Sequence, residues 1–236
     1  MPAASALKPA SVSSPALHRR TISLTGSLQA LLLISITLVA ILLRVVNLDA
    51  IGYNSDEAVY AGQAAAIAKV PVLHELFPVF RAHPLLFQFT LAVFYKFDNS
   101  DFTGRLVSAA IGVITVVLVY VIGRRLYGPR AGLVAAFLMA VMPYHIIPTR
   151  QVLLDGPMAL MATLALFMMV HFAETEKSIW LLATGICMGL TFLAKETGIL
   201  MVGAIYAFLA LSPEIKVKIR TIVASLALMV LTMIPF

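Results

Sequence analysis

The chain has 236 residues, 61% of them hydrophobic and 12% charged, with a mean hydropathy of +0.98, a net charge of +6 and one cysteine. An ordinary soluble domain is about 45–50% apolar and about 25% charged, so this composition excludes a soluble globular protein and a disordered chain, and the lone Cys187 excludes an intramolecular disulfide scaffold. No basic patch is interleaved with aromatic residues, so nucleic acid is not an expected partner, and the cationic excess is read as membrane orientation.

A membrane span needs about 20 predominantly apolar residues. Residues 1–27, rich in Ala, Ser and Pro, read as a disordered cytoplasmic tail. The apolar run 28–46 follows His18, Arg19 and Arg20. It is longer than a signal-peptide core and lacks a small-residue cleavage site, so it reads as an uncleaved anchor. Residues 47–103 hold acids, Pro71, Pro78 and Pro84, and read as one long loop. Within it Asn54 suits an N-cap with Glu57 three residues on, opening an Ala-rich helix that runs to Pro71. The stretch 83–97 (HPLLFQFTLAVFYKF) is short for a span, and crossing there would carry Arg124, Arg125 and Arg130 to the outer side. It is expected to lie in the interface, with Pro84 in its first turn and Phe87, Phe89, Phe94, Tyr95 and Phe97 at the headgroup boundary.

Further apolar segments cover 104–123, 131–147, 155–173, 179–194, 198–211 and 219–236. The expected fold is an all-α membrane protein of about seven transmembrane helices, residues 28–236 forming one module with an outer loop at 47–103 that carries amphipathic interfacial helices. Gly185 and Gly189 have the spacing that lets two helices approach closely. With the N-terminus inside, the inner side holds ten cations (Lys8, Arg19, Arg20, Arg124, Arg125, Arg130, Lys177, Lys216, Lys218 and Arg220) and the outer side seven, with eight acids. The positive-inside rule favours this orientation, in a plasma (inner) membrane.

Four polar clusters then fall on the outer side. Asp56 and Glu57 occupy a first helical turn, where the helix dipole alone accounts for acids by about 0.3–1 kcal/mol. Arg81 and His83 precede the interfacial helix, where snorkelling to headgroups is the plain alternative to binding a phosphate. Arg150 and Asp155 flank the turn before the segment at 155, and Asp155 suits a cap because Pro157 follows. Lys195-Glu196-Thr197-Gly198 forms a hairpin tip that reads as a salt-bridged polar turn. Together they set acids beside cations at the lipid–water boundary, which suits a reaction on an amphiphilic phosphate.

The order NSDEAVYAG, HPLLFQF, GRLVSAAIGVITVVLVYVIGRRLYG, PTRQVLLDGPMAL and LAKETG resembles the N-terminal half of membrane glycosyltransferases that use polyprenyl-phosphate sugars. These form the GT-C superfamily, and the branch is that of protein O-mannosyltransferases and lipid A aminoarabinose transferases. The resemblance covers roughly 44–200, and the Asp-Glu pair with the RLVSAAIG…GRRLYG segment is its most specific part. It implies that Asp56 is the catalytic base, with Glu57 its neighbour and Asp155 the second outer acid. His83 falls where the family has a Lys or His before a proline pair near the lipid phosphate. Lys195 matches a cation of the outer hairpin, and Arg105 the arginine that opens the second span. Two departures stand out: the proline pair is Pro84-Leu85 here, and the chain ends at Phe236 where family members carry several more spans.

The implied reaction moves a sugar from a polyprenyl phosphate to an acceptor hydroxyl of a protein, lipid or glycan on the outer face, with inversion. Asp56, Glu57 and Asp155 are the expected catalytic acids, and Arg81, His83, Arg105, Arg150 and Lys195 the expected phosphate-binding residues. No cofactor is expected, since His and Cys show no metal-ligand spacing. Asp98-Asn99-Ser100-Asp101 could in principle bind a hard divalent cation, but it reads as a polar turn capping the next helix. The competing classes are a transporter or flippase for a lipid-linked sugar, and a non-catalytic scaffold that retains the module.

Overall fold

The structure, a computed structural model, describes residues 26–76 and 83–234. The tail expected to be disordered and Arg81 therefore lie almost wholly or wholly outside the described residues. Among the described residues every regular element is a helix. The long ones are α1 (Gly26–Val45), α5 (Asp101–Tyr127) and α8 (Asp155–Thr175). These three are long and apolar enough to cross a membrane. Between α1 and α5 lie α2 (Ser55–Ile67), the short α3 (Leu73–Leu76) and α4 (Leu86–Tyr95), so the long loop is largely helical.

The segment expected as one helix at 131–147 is two, α6 (Pro129–Val141) and α7 (Pro143–Thr149), bent by 58° and long enough together for a broken span. Pro143 is the cause. It has no N–H to continue the helix, and Met142 before it is extended, as residues preceding proline tend to be. The remaining expected spans are the helices α9 (Ser178–Ala194), α10 (Ile199–Leu211) and α11 (Ile219–Met233). At 17, 13 and 15 residues they are shorter than a full perpendicular crossing of about 20.

The apolar residues form three clusters. Ala40 of α1 packs with Val116 and Tyr120 of α5 and Ala136 of α6. Ala61 and Ala64 of α2 pack with Phe87 and Leu91 of α4 and with Val152. Met169 and Phe172 of α8 pack with Leu181 and Met188 of α9, Ile205 of α10 and Met229 of α11. Other large apolar side chains point outward, including Leu31, Ile34 and Leu38 of α1, as expected where the solvent is lipid. The Gly185–Gly189 spacing serves close packing as read from the sequence. A Cβ on Gly185 would lie 2.2 Å from the Ser225 carbonyl oxygen of α11, and one on Gly189 2.8 Å from that of Met229.

Three local expectations need correction. Phe87 and Tyr95 of α4 are buried against α2 rather than placed at the headgroups, while Phe89, Phe94 and Phe97 are exposed. Pro84 precedes α4, which begins at Leu86, instead of occupying its first turn. Helix α2 also stops short of Pro71, because Lys69 adopts a left-handed backbone at φ 60°.

Candidate active site

The site is built on the first turn of α2. The Asn54 Oδ1 accepts the N–H groups of Asp56 and Glu57 at 3.0 Å, and the Glu57 carboxylate accepts the Asn54 N–H at 3.1 Å. This reciprocal cap fixes the turn. Adjacent helical residues diverge by about 100°, so Glu57 is driven inward and Asp56 outward. Glu57 is 1% exposed. Its two oxygens take Arg105 Nε at 2.8 Å and Nη2 at 2.7 Å, and Oε1 also takes the Val152 N–H at 3.0 Å. Burial pushes its pKa up, but the hydrogen bonds from Arg105, Val152 and Asn54 and the Arg105 charge outweigh that, and the net shift is downward.

Arg105 spends its remaining N–H groups on the carbonyls of Leu48, Ile51 and Gly52. A guanidinium has five N–H donors, and all five are engaged. The expectation that Arg105 binds phosphate is therefore corrected: it is buried and has no donor left. The Glu57 carboxylate, expected among the catalytic acids, is buried and engaged in the same network, tying α2 to α5 and to the link before α8. Arg150, also expected to bind phosphate, is half-buried and uses two of its N–H groups on backbone. Its Nη1 and Nη2 donate to the carbonyls of Leu43 and Val46 at 2.7 and 2.8 Å, capping the end of α1.

The other predicted residues gather on the exposed side of α2. Asp56 is exposed, and its carboxylate has no hydrogen bond or ion pair among the described residues. Lys195 Nζ donates to Asp155 Oδ1 at 2.8 Å, and His83 Nδ1 lies 3.1 Å from the Glu196 carboxylate. Asp155, for which a helix cap was the plain alternative reading, lies inside the first turn of α8 and turns to Lys195. Lys195 has an extended backbone. Successive side chains on extended chain point to opposite faces, which lets Lys195 and Glu196 reach different partners. The Glu196 carboxyl is held below the usual range by its own backbone N–H and by His83 and Lys195, against the opposing effect of burial.

Tyr60 sits in the middle of this group, and it escaped the sequence reading. Its ring meets His83 edge-on with centroids 6.1 Å apart. Its phenol is shifted upward by burial and then by the charges of Asp56, Asp155 and Glu196. Its position four residues after Asp56, on the same helical face, was the available signal. Glu196 was read as pairing within its own turn, but its partner His83 is 113 residues away.

At the polar turn before α5, Ser100 caps the helix by accepting the Thr103 N–H, and Asp98 accepts from Ser100 and Thr103. Among the described residues no three His, Cys, Asp or Glu side chains converge as metal ligands would.

Residues 82–236 match the sequence profile described as dolichyl-phosphate-mannose-protein mannosyltransferase. The chain belongs to this mannosyltransferase family. The fold agrees with that membership. A chain of the protein O-mannosyltransferase Pmt1–Pmt2 complex of S. cerevisiae bound to the sugar donor superposes with a TM-score of 0.68 at 20% identity. The likeness covers 91% of this family member and 33% of the yeast chain, so the mannosyltransferase homologue described here spans about a third of that chain's length. No curated protein sequence matches it.

Proposed function

We propose that this chain forms the reacting part of a membrane glycosyltransferase that moves a sugar from a polyprenyl phosphate to an acceptor hydroxyl. Mannose is the sugar to test first, as the family's description names it. The reading rests on one observation above all: among the described residues Asp56 has no ion pair, in a cluster whose other acids, Glu57, Asp155 and Glu196, contact Arg105, Lys195 and His83. An unpaired carboxylate can accept the hydroxyl proton as the oxygen attacks the anomeric carbon. The bond from that carbon to the phosphate oxygen breaks as the new one forms, its electrons leave with the polyprenyl phosphate, and the configuration inverts. His83 and Lys195 carry the donors that would face the departing phosphate. Asp155 and Glu196 hold those two side chains in place until the substrate arrives. The active site is proposed to face the outer side of a plasma (inner) membrane, with the N-terminus cytoplasmic and a protein, lipid or glycan as acceptor. Incubating membranes that contain the full chain with radiolabelled polyprenyl-phosphate mannose tests this reading. Covalent label on an acceptor is the expected result. Label that only crosses the bilayer would assign transport instead, and no label in either place would leave a scaffold.

A further inference from the structure

At the opposite end of the bundle, the turn between α8 and α9 and the connection between α10 and α11 enclose a cavity of about 730 Å³. Its polar wall is formed by Ser178, Thr221, Lys216 and Lys218, and its apolar wall includes Phe172 and Leu209. Neither lysine has a carboxylate partner among the described residues, where the ion pairs are those of His83, Arg105, Arg125 and Lys195. One acid, Glu176, also lines the cavity, and its carboxylate accepts the Lys216 backbone N–H at 3.2 Å, which joins the two connections into one rim. The two lysines exceed that single lining acid, and of the charges beside the cavity Lys177 and Arg220 add two positive and Glu214 one negative. The Ser178 and Thr221 hydroxyls lie 3.3 Å apart across the rim, on the first turns of α9 and α11.

We propose that this cavity binds the phosphate headgroup of an anionic membrane phospholipid. Unpaired ammonium groups, and the one hydroxyl hydrogen that the Ser178–Thr221 hydrogen bond leaves free, supply donors to phosphate oxygens. The apolar wall suits the glycerol and upper acyl chain that a lipid brings and a free anion lacks. Leu211 and Ile219, at the ends of the flanking helices, are 82% and 70% exposed, as befits residues that meet lipid. The site uses none of the residues of the candidate active site.

The test is native mass spectrometry of the full chain, delipidated in detergent and titrated with phosphatidylglycerol, phosphatidylcholine or inorganic phosphate. One phosphatidylglycerol is expected to bind at least tenfold more tightly than phosphatidylcholine, with no competition from millimolar phosphate. Lys216→Gln with Lys218→Gln should weaken that binding at least tenfold, and Thr221→Val should weaken it while leaving thermal unfolding unchanged. A charge-matched pair on the same side, Arg124→Gln with Arg130→Gln, should change it less than twofold. Equal loss in both double variants would reduce the effect to diffuse charge and overturn the proposal. Equal affinity for the two lipids, or displacement by inorganic phosphate, would overturn it as well.

Discussion

Asp56 and Glu57 are neighbours in the chain and occupy opposite environments, one exposed and unpaired, the other buried against Arg105. Removing one partner of a buried pair leaves the other charge unmet, at a cost of about 3–5 kcal/mol. Glu57→Gln should therefore lower thermal stability sharply, and Arg105→Met should do the same. The pH dependence follows from the depressed Glu57 carboxyl. Its contribution is present above the ordinary carboxylate range and is lost as pH falls through its lower folded value. Acid unfolding of the parent chain should be steeper than that of a Glu57→Gln, Arg105→Met double variant, as circular dichroism across pH 2–6 would show (about two to six, bracketing ordinary carboxyls). Lys195→Met should slow transfer about 10²-fold with little change in acceptor KM, the signature of lost stabilisation of a leaving group. The Asp-Glu pair was legible in the sequence, but the division of labour was not. It depends on Arg105, 48 residues away, and on a backbone N–H at Val152.

At the scale of elements, α9 and α11 meet through glycine. Gly185→Val would drive a side chain into the Ser225 backbone, and overpacking of this kind costs about 1–3 kcal/mol. Gly203→Ala in α10, where nothing lies within 4 Å of the added carbon, should leave the melting temperature unchanged or raise it slightly. Thermal unfolding of the two variants in one detergent separates them. The break between α6 and α7 is stapled by Arg44, which is fully buried in α1. It donates to the Ala140 carbonyl at 3.1 Å and to Thr149 at 3.0 Å, and meets His145 Nδ1 at 2.7 Å. Hydropathy located the apolar helical segments, of which three, or four with the bent pair α6–α7, are long and apolar enough to cross a membrane. It could not locate the bend, which needs Pro143 together with a side chain from another helix to satisfy the freed carbonyl.

Across the whole molecule the polar residues divide by end. The candidate acids, His83 and Lys195 gather where α2, α8 and the turn after α9 meet, while Lys177, Lys216, Lys218 and Arg220 collect around the far connections. This division was visible as a charge bias in the sequence, because alternating helices sort their connections into two sets. What joins three of the polar clusters was invisible there, since the pairs that do it, Lys195 with Asp155 and His83 with Glu196, are 40 and 113 residues apart. The central claim is that Asp56 removes the acceptor proton. It is tested most directly by Asp56→Asn, which keeps the shape and the turn cap, assayed with radiolabelled polyprenyl-phosphate mannose beside the parent chain. The expected result is loss of transfer by at least about 10²-fold, with unchanged membrane insertion and unchanged thermal unfolding. Transfer by the variant at the parent rate would contradict it.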